Sequence, residues 1–160
     1  MNRENGERHY GYKDHAKVDS KSKLIDTYTV TSTKVHENQP LEALVGEEDV
    51  GQELHADSAY IGEPIDTMLN TKGIIPQIIE RAFKGKPLTE TQKQNHNIKT
   101  KTRSRVEHVF GFVTNSMNDF YIHTIGFQRT KVVVGLINLA YNMCRYEQIV
   151  ILNLLPFNIK

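Results

Sequence analysis

Near its start the chain alternates between apolar and polar residues, the pattern of a half-buried β-strand. From residue 10 to residue 18 one face carries tyrosine, alanine and valine, interrupted by Asp14, and the other carries glycine, lysine and histidine. The polar segment 19–23 predicts a turn, and segment 24–33, rich in Ile, Val, Thr and Tyr, predicts a second strand. Together the two segments predict a β-hairpin.

The middle of the chain shows extended and helical patterns in turn. Asn38 can cap a short helix that continues to residue 45, and residues 53–57 have the pattern of a short strand. A helix that starts near Pro64 is followed by Gly73, a residue type that commonly lies just past a helix end. Segment 74–79 predicts another strand, confined to a sheet edge by its proline. Strands and helices in this order predict a mixed α/β fold.

Two longer helices are predicted in the C-terminal half. After a loop at residues 84–88, Thr89 and Gln92 form a capping-box pattern, and a helix, continuous or broken, extends to about residue 117. Residues 130–146 predict a helix that is apolar nearly all round and therefore buried, with Cys144 as a small core residue. Polar residues interrupt this apolar stretch, which argues against a membrane span.

The composition is that of an ordinary globular domain. The 160 residues are enough for one hydrophobic core, and 38% hydrophobic with 24% charged residues exclude a disordered chain. A net charge of +1 is not that of a dedicated nucleic-acid-binding domain, so any DNA contact must come from local clustering of positive charge. One cysteine excludes a disulfide framework and a multi-cysteine zinc site, which favours a reducing cytoplasm. The polar first 13 residues lack the apolar segment of a secretory signal.

Two carboxylates are candidates for metal chemistry. Asp57 closes a predicted strand, and functional groups in open α/β sheets gather at the carboxyl ends of strands. Glu107 follows Arg103 by four residues on a predicted helix, so the two side chains share a face beside the apolar stripe. Each carboxylate also has a purely structural interpretation. Asp57 can cap the next helix or turn, and Glu107 can form a surface ion pair with Arg103.

Five short motifs give these carboxylates a context. In chain order they are Tyr-Gly-Tyr-Lys-Asp-His at 10–15, Val-His-Glu-Asn at 35–38, Ala-Asp-Ser-Ala-Tyr at 56–60, Arg-Ser-Arg-Val-Glu-His-Val-Phe-Gly at 103–111 and Leu-Ala-Tyr-Asn at 139–142. In this order and at this spacing they resemble the DDE transposases of bacterial insertion sequences, and the likeness extends from about His9 to Ile149. The resemblance implies an RNase-H-like catalytic domain, an endonuclease and strand-transfer enzyme that cuts and joins DNA.

The resemblance also implies a catalytic site. In the family, three carboxylates hold two divalent ions, usually Mg²⁺ or otherwise Mn²⁺, for in-line phosphoryl transfer. Asp57 matches the second carboxylate and Glu107 matches the last, so both are expected to be catalytic and to bind metal. Arg103 matches the arginine of the family's Arg-x-x-x-Glu pattern. Two positions depart from that pattern, because Thr100 stands in place of a tyrosine and Thr114 in place of a lysine.

The first carboxylate of the family has no counterpart here. It lies on the first strand, before the Tyr-Gly-Tyr-Lys segment, and none of the first eight residues is Asp or has a strand pattern. Asp14 and Asp19 match other positions. We therefore expect an α/β, RNase-H-like mixed sheet with flanking helices, truncated at its N-terminus because the first central strand is missing. The expected divisions are a disordered or frayed N-terminus at 1–8, a partial catalytic domain at 9–149 and a C-terminal tail at 150–160. We expect this chain alone to be poorly stable and inactive.

Positive side chains on one helix and one strand supply the expected DNA contacts. The expected DNA-binding residues are Lys99, Lys101, Arg103, Arg105, Lys13 and Lys17. Contacts with phosphates would make binding salt-dependent; the alternative is a set of solvated side chains, with Arg103 orienting Glu107. Tyr60 is either a stacking or hydrogen-bonding group for DNA or a core tyrosine. His15 is not expected to bind metal, because neutral histidine is uncommon in oxygen-rich magnesium sites.

The expected partners are double-stranded DNA, as terminal repeats and target, and either a second copy of the chain or a full-length transposase, with no membrane. The expected location is the bacterial cytoplasm, at the nucleoid when DNA is bound. Two other interpretations stay open. The chain is a non-catalytic DNA-binding remnant that interferes with a full-length transposase, or it is an unrelated α/β module in which Asp57 and Glu107 are structural.

Overall fold

The structure, a computed structural model, describes residues 2–4, 7–9, 11–79, 90–117 and 122–154. These residues form a mixed α/β architecture in which each sheet has two strands. In chain order the elements are β1 (Asn2–Glu4), β2 (Glu7–His9), β3 (Tyr12–Val18), β4 (Ile25–Ser32), α1 (Leu41–Leu44), β5 (Glu53–Ala56), α2 (Glu63–Thr71), β6 (Ile75–Ile78), α3 (Glu90–Ser116) and α4 (Phe127–Ile151). The chain divides into two compact units, residues 1–35 with 106–160, and residues 36–105. The predicted loop at 84–88, and Thr89 of the capping box, lie outside the described residues.

The first unit begins with two antiparallel strand pairs. β1 pairs with β2 in a segment for which the sequence predicts a loop or frayed end. β3 pairs with β4, with Tyr12 opposite Ser32, which confirms the predicted hairpin. The turn between them is held by Asp19, whose Oδ2 accepts hydrogen bonds from the backbone amides of Lys21 at 3.1 Å and Ser22 at 2.6 Å. The predicted turn at 19–23 is therefore built by one short polar side chain.

The core of the first unit is formed by the hairpin, the C-terminal part of α3 and α4. Ile25, Val109, Val113 and Tyr141 are buried together there. Polar side chains of α4 fasten it to the start of β4. The side-chain amide of Asn142 accepts a hydrogen bond from the backbone N–H of Ile25 and donates one to its carbonyl, both at 2.8 Å. Because Tyr141 and Asn142 end the Leu-Ala-Tyr-Asn motif, that motif has a structural role in this fold.

The second unit is built around the parallel pair of β5 and β6, which α2 connects. Ile65 and Leu69 of α2 are buried in a cluster with Ile74 and with apolar residues of and next to α1. Gly73 has a φ of +67° just past the end of α2, the left-handed conformation that glycine adopts at little cost. The predicted strand, helix and strand of this region are thus confirmed. The short helix α1 begins later than predicted, because Asn38 does not cap it and Pro40 is the residue before its first turn.

α4 is longer than predicted, and its surroundings differ from the prediction. Val134, Asn138, Tyr141 and Ile149 are buried on one side. The opposite side carries exposed apolar residues, which we name the α4 stripe: Val132, Leu136, Leu139, Met143, Tyr146 and Val150. The prediction of a fully buried helix is therefore wrong, as is that of a core Cys144, which is exposed. A helix that is apolar nearly all round gives no sign of which side the fold covers. No helix in the described part of the chain is long and apolar enough to cross a membrane.

Candidate functional site

Asp57 directly follows β5, at the carboxyl end of that strand. Its backbone is extended, and its Oδ1 accepts a hydrogen bond from the amide of Ala59 at 2.8 Å. This bond caps the 3-10 turn Ser58–Tyr60, because it satisfies an amide that has no partner within the turn. The capping role that the sequence left open for Asp57 is thus present in the structure.

The second carboxylate oxygen of Asp57 lies beside a cation from α3. Arg103 Nη2 donates to Asp57 Oδ2 at 3.2 Å. The Arg103 side chain is 36% exposed and that of Asp57 is 31% exposed, so water reaches the pair. At such exposure an ion pair adds only about 0–1 kcal/mol to stability. The contact therefore matters mainly for position, because it connects the end of β5 to α3.

A second basic side chain of α3 contacts the neighbouring strand. Lys99 Nζ donates to the carbonyl of Ile78, the last residue of β6, at 3.0 Å. Lys99 and Arg103 are four residues apart and so lie on the same side of the helix. Because β5 and β6 are parallel, their carboxyl ends lie at one edge of the small sheet. α3 therefore brings two cationic side chains to that edge.

Tyr60 borders this group from the apolar side. Its ring packs against the buried cluster of the second unit. The pKa of its hydroxyl is raised above the usual value, first by burial and then by the negative charges of Asp57 and Glu37, while Arg103 acts in the opposite direction. At neutral pH Tyr60 is therefore a neutral phenol that can donate a hydrogen bond, and it is also a core residue. The packing of the ring agrees with the core interpretation offered by the sequence, whereas a contact of the hydroxyl with DNA stays a prediction.

Glu107 lies on α3, four residues after Arg103, and its side chain is exposed. It belongs to the first unit, whereas Asp57 and Arg103 belong to the second. Lys101 and Arg105 are also exposed on α3, while Lys99 and Arg103 are half-buried. All five predicted site residues from 99 to 107 therefore share one helix. Among these residues, Arg103 of α3 is in contact with Asp57.

The basic residues of the hairpin are less exposed than the alternation of the strand indicates. Lys17 Nζ lies 2.7 Å from Asp26 Oδ2, and the lysine side chain is only 13% exposed. His15 is buried, with Nε2 2.8 Å from Thr31 Oγ1. Lys13 Nζ donates to the carbonyl of Val35 at 3.4 Å. Polar groups on β4 and just after it thus engage this face of β3, an arrangement that a single strand's pattern cannot reveal.

Asp14 is a polar residue whose environment does not follow from the pattern of its strand. Asn138 Nδ2 donates to Asp14 Oδ2 at 3.0 Å, and Asp14 Oδ1 is buried without a hydrogen-bond partner in the described part of the chain. Burial raises the pKa of Asp14 to about 6, against the lowering effect of the Asn138 hydrogen bond. Asp14 also lines a cavity of about 710 Å³, together with Phe110, Thr130 and Val134. The signal in the sequence was the break that Asp14 makes in the apolar face of β3.

The donor chemistry at the end of β5 fits a hard divalent cation. Carboxylate oxygens are the ligands that Mg²⁺ prefers, and the side chain of Asp57 is accessible to solvent. Each carboxylate oxygen has a second lone pair beyond the one used by Ala59 or Arg103. The guanidinium of Arg103 also contacts this carboxylate, so a bound cation would have to share the carboxylate with Arg103.

Comparison with known proteins adds information that geometry alone does not hold. The model of a family described as a transposase DDE domain matches residues 2–143 of the chain. A transposase for the insertion sequence element IS1106, from Neisseria meningitidis serogroup B, is 29% identical over 109 residues, which cover 68% of this chain. The match spans 38% of the length of that curated relative. No solved structure gives a significant match.

Proposed function

The chain belongs to the transposase DDE domain family, and from this membership we propose that it is part of an enzyme for cut-and-join DNA transposition of an insertion sequence by two-metal phosphoryl transfer, with this chain inactive by itself. The proposal includes an RNase-H-like arrangement of the catalytic domain, of which these residues form part. Its setting is the bacterial cytoplasm, at the nucleoid when DNA is bound. Its DNA partners are the terminal repeats of the element and the target.

The observation that carries the proposal is the half-exposed carboxylate of Asp57 at the carboxyl end of β5, 3.2 Å from Arg103. A carboxylate that served only as a cap would need no cation from a distant helix. A carboxylate that binds metal benefits from a neighbour that fixes its orientation. The Arg-x-x-x-Glu pattern then places Glu107 one turn farther along the same helix. These features support Asp57 and Glu107 as the metal-binding pair.

In the proposed mechanism Asp57 and Glu107 would be two of the three carboxylates that hold two Mg²⁺ or Mn²⁺ ions in the intact family site. Such ions, when bound, activate an oxygen nucleophile and stabilise the leaving oxygen during in-line displacement. Arg103 orients Asp57 through Oδ2 while the amide of Ala59 fixes Oδ1, so the carboxylate is held from two directions. Tyr60 keeps its proton near neutral pH and can donate to a phosphate oxygen.

Positive residues of α3 are proposed to hold the DNA backbone. Lys101 and Arg105 are exposed and four residues apart, so they lie on one side of the helix. Lys99 and Arg103 already contact the strand ends. We propose that they reach phosphates only when those contacts are replaced by contacts with DNA. Lys13 and Lys17 of the hairpin are a second proposed contact region, in which Lys17 would first have to release Asp26.

Binding of divalent ions tests the proposal directly. Titration of the purified chain with Mn²⁺, followed by calorimetry or paramagnetic broadening, should show saturable binding that Asp57→Asn and Glu107→Gln each weaken at least tenfold. Asp66→Asn and Glu42→Gln are matched controls, because both remove one exposed carboxylate and lie outside the proposed site. Equal binding by wild type and both site variants would rule out the metal-binding pair.

Cleavage of terminal-repeat DNA tests the expected lack of activity. The family's first carboxylate has no counterpart among these residues, so we expect the chain to bind terminal-repeat DNA without cutting it. If the chain cleaves this DNA in the presence of Mg²⁺ and Asp57→Asn abolishes the cleavage, the expected inactivity is contradicted but the proposed two-metal chemistry is supported. Cleavage that survives in Asp57→Asn would contradict both.

A second candidate function is DNA binding without catalysis, with interference through mixed assembly with a full-length transposase. The observation that favours it is that both oxygens of Asp57 already have partners in this fold. A gel-shift assay distinguishes the two functions. DNA binding that is unchanged by Mg²⁺ and by Asp57→Asn supports this second function, whereas binding that depends on both supports the first.

A further inference from the structure

The α4 stripe is an unusual surface for a helix of this length. Its six side chains are between 51% and 66% exposed, and all are apolar or aromatic. From Val132 to Tyr146 the other exposed residue on α4 is Cys144, itself weakly polar. About four turns of helix therefore face solvent without a charged group, although exposed apolar surface of this extent commonly marks an interaction site.

The spacing of the stripe is that of a helix that packs along another helix. Successive members are separated by four, three, four, three and four residues, the a and d positions of a heptad repeat. When such a helix is placed antiparallel to a copy of itself, each a position meets a d position. Val132 then faces Val150, Leu136 faces Tyr146, and Leu139 faces Met143 of the other copy. The stripe is thus complementary to itself in six layers, as a two-fold symmetric interface requires.

The charges at the ends of α4 favour the same pairing. The structure describes every residue of α4. No residue in its last turn is basic and none in its first turn is acidic, so no side chain of these two turns offsets the charge at either end of the helix dipole. Arg129 and Lys131 are exposed near the N-terminus. In the antiparallel register they lie opposite Asn153 and Ile151 of the other copy, beside its C-terminal carbonyls. Cations at that position stabilise a helix, and parallel pairing would instead bring the like charges together.

We propose that two copies of this chain associate through the α4 stripe, with their α4 helices antiparallel. The inference does not depend on the transposase function, because it rests on the exposure, the spacing and the charges of one helix. The occupant is a second copy of the same chain. Coverage of the stripe by other parts of a longer protein is the rival outcome.

The mass of the chain in solution is the first test. Sedimentation equilibrium over a dilution series should give twice the monomer mass at high concentration, with a reversible return to monomer on dilution. Leu139→Lys should raise the dissociation constant at least tenfold, while circular dichroism stays that of the wild type because the side chain is exposed. Ile98→Lys is the matched control, since it adds the same charge at an exposed apolar residue of α3. A wild-type monomer at all concentrations would overturn the proposal.

The orientation is tested by disulfide formation between copies. In a Cys144→Ser background, Leu139→Cys and Met143→Cys are prepared as separate proteins and mixed under a mild oxidant. The antiparallel register predicts that the mixed disulfide forms faster than either symmetric one. A predominance of symmetric disulfides would indicate parallel helices and overturn the proposed pairing. The absence of any disulfide, together with a monomeric mass, would point to coverage by other parts of a longer chain.

Discussion

At the scale of single residues, Asp57 combines a local structural duty with a proposed chemical one. Its Oδ1 caps the turn at Ser58–Tyr60, and its Oδ2 contacts Arg103. Asparagine keeps an oxygen that can cap the turn but loses the negative charge, whereas alanine loses both. Substitution of this residue therefore separates the two roles more cleanly than deletion of Arg103 would, since arginine also contributes packing.

We predict that Asp57→Ala lowers the free energy of unfolding by about 1 kcal/mol, the usual value of a lost cap, and that Asp57→Asn lowers it by less than half of that. Urea unfolding followed by circular dichroism gives both values. Both variants should lose Mn²⁺ binding to the same extent. If asparagine destabilises the protein as much as alanine does, the charge contact with Arg103 and not the cap dominates the structural role.

Asp14 makes the stability of the chain depend on pH in a particular direction. Its pKa in the folded chain is about 6, above the ordinary 3.8, because burial disfavours the charged carboxylate. The folded chain therefore holds the proton more tightly than the unfolded chain does. Protonation of Asp14 therefore stabilises the folded chain. This stabilisation is complete below pH 3.8, falls between pH 3.8 and pH 6, and is lost above pH 6.

Ionisation of Asp14 should lower the free energy of unfolding of the wild type between pH 4 and pH 8 by on the order of 1–3 kcal/mol. We predict that Asp14→Asn removes this decrease, because asparagine does not ionise. Urea midpoints measured from pH 4 to pH 8 give the comparison. Asp66→Asn, at an exposed position of α2, is the control and should keep the wild-type pH dependence. An Asp14→Asn profile parallel to that of wild type would contradict the role assigned to this carboxyl.

At the scale of elements, α4 and β4 approach each other at a glycine. A Cβ atom added at Gly135 would overlap the hydroxyl of Tyr28 and come within 3.2 Å of its Cζ. A glycine in the middle of a helix costs roughly 0.5–1 kcal/mol relative to alanine, so this one is explained by the close contact with the tyrosine.

We predict that Gly135→Ala lowers the thermal unfolding midpoint despite the better helix propensity of alanine. In a Tyr28→Phe background, which removes the overlapping oxygen, the same substitution should be close to neutral. A double-mutant cycle from urea unfolding measures the coupling between the two positions. A coupling of zero would show that Tyr28 moves aside without cost.

The elements that the sequence predicted well are those whose local pattern decides their structure. The hairpin follows from the alternation in β3 and from Asp19, and the end of α2 follows from Gly73. The burial of α4 could not be predicted in this way. An all-round apolar helix is compatible with several covered faces, and the covered face depends on contacts such as that of Asn142 with Ile25, 117 positions earlier in the sequence.

At the scale of the whole molecule, the small net charge of +1 means that the proposed DNA binding must depend on a few local contacts. Each lysine that contacts a phosphate releases about one counterion. Such binding should therefore weaken steeply with salt, by an amount set by the number of phosphate contacts and not by the total charge of the chain.

We predict that Lys101→Ala weakens DNA binding and lowers the slope of log affinity against log salt concentration by about 1. Fluorescence anisotropy with labelled terminal-repeat DNA between low and moderate salt gives the slope. Lys21→Ala, at an exposed position of the hairpin turn, is the control and should leave the slope unchanged. If both substitutions lower the slope equally, binding is diffuse and not centred on α3.

The candidate site was predictable only in part. The position of Asp57 at a strand end followed from the pattern of β5, whereas its ion pair with Arg103 joins residues 46 positions apart and needed the folded chain. The identity of Asp57 and Glu107 as proposed metal ligands came from resemblance to a family, since each residue alone has an adequate structural explanation. Isolated carboxylates are too common for local sequence to distinguish a ligand from a cap.

The two hydrophobic cores differ in how far apart along the chain their members lie, and this difference has a kinetic consequence. The core of the second unit joins residues between Leu41 and Ile74, whereas that of the first unit brings Ile25 together with Tyr141. Closing a longer loop costs more entropy before any contact forms, so short-range contacts form sooner. Pulse-labelled hydrogen exchange during refolding should therefore show the amides of β5 and β6 protected before those of β3 and β4. Simultaneous protection would mean that the units fold as one cooperative structure.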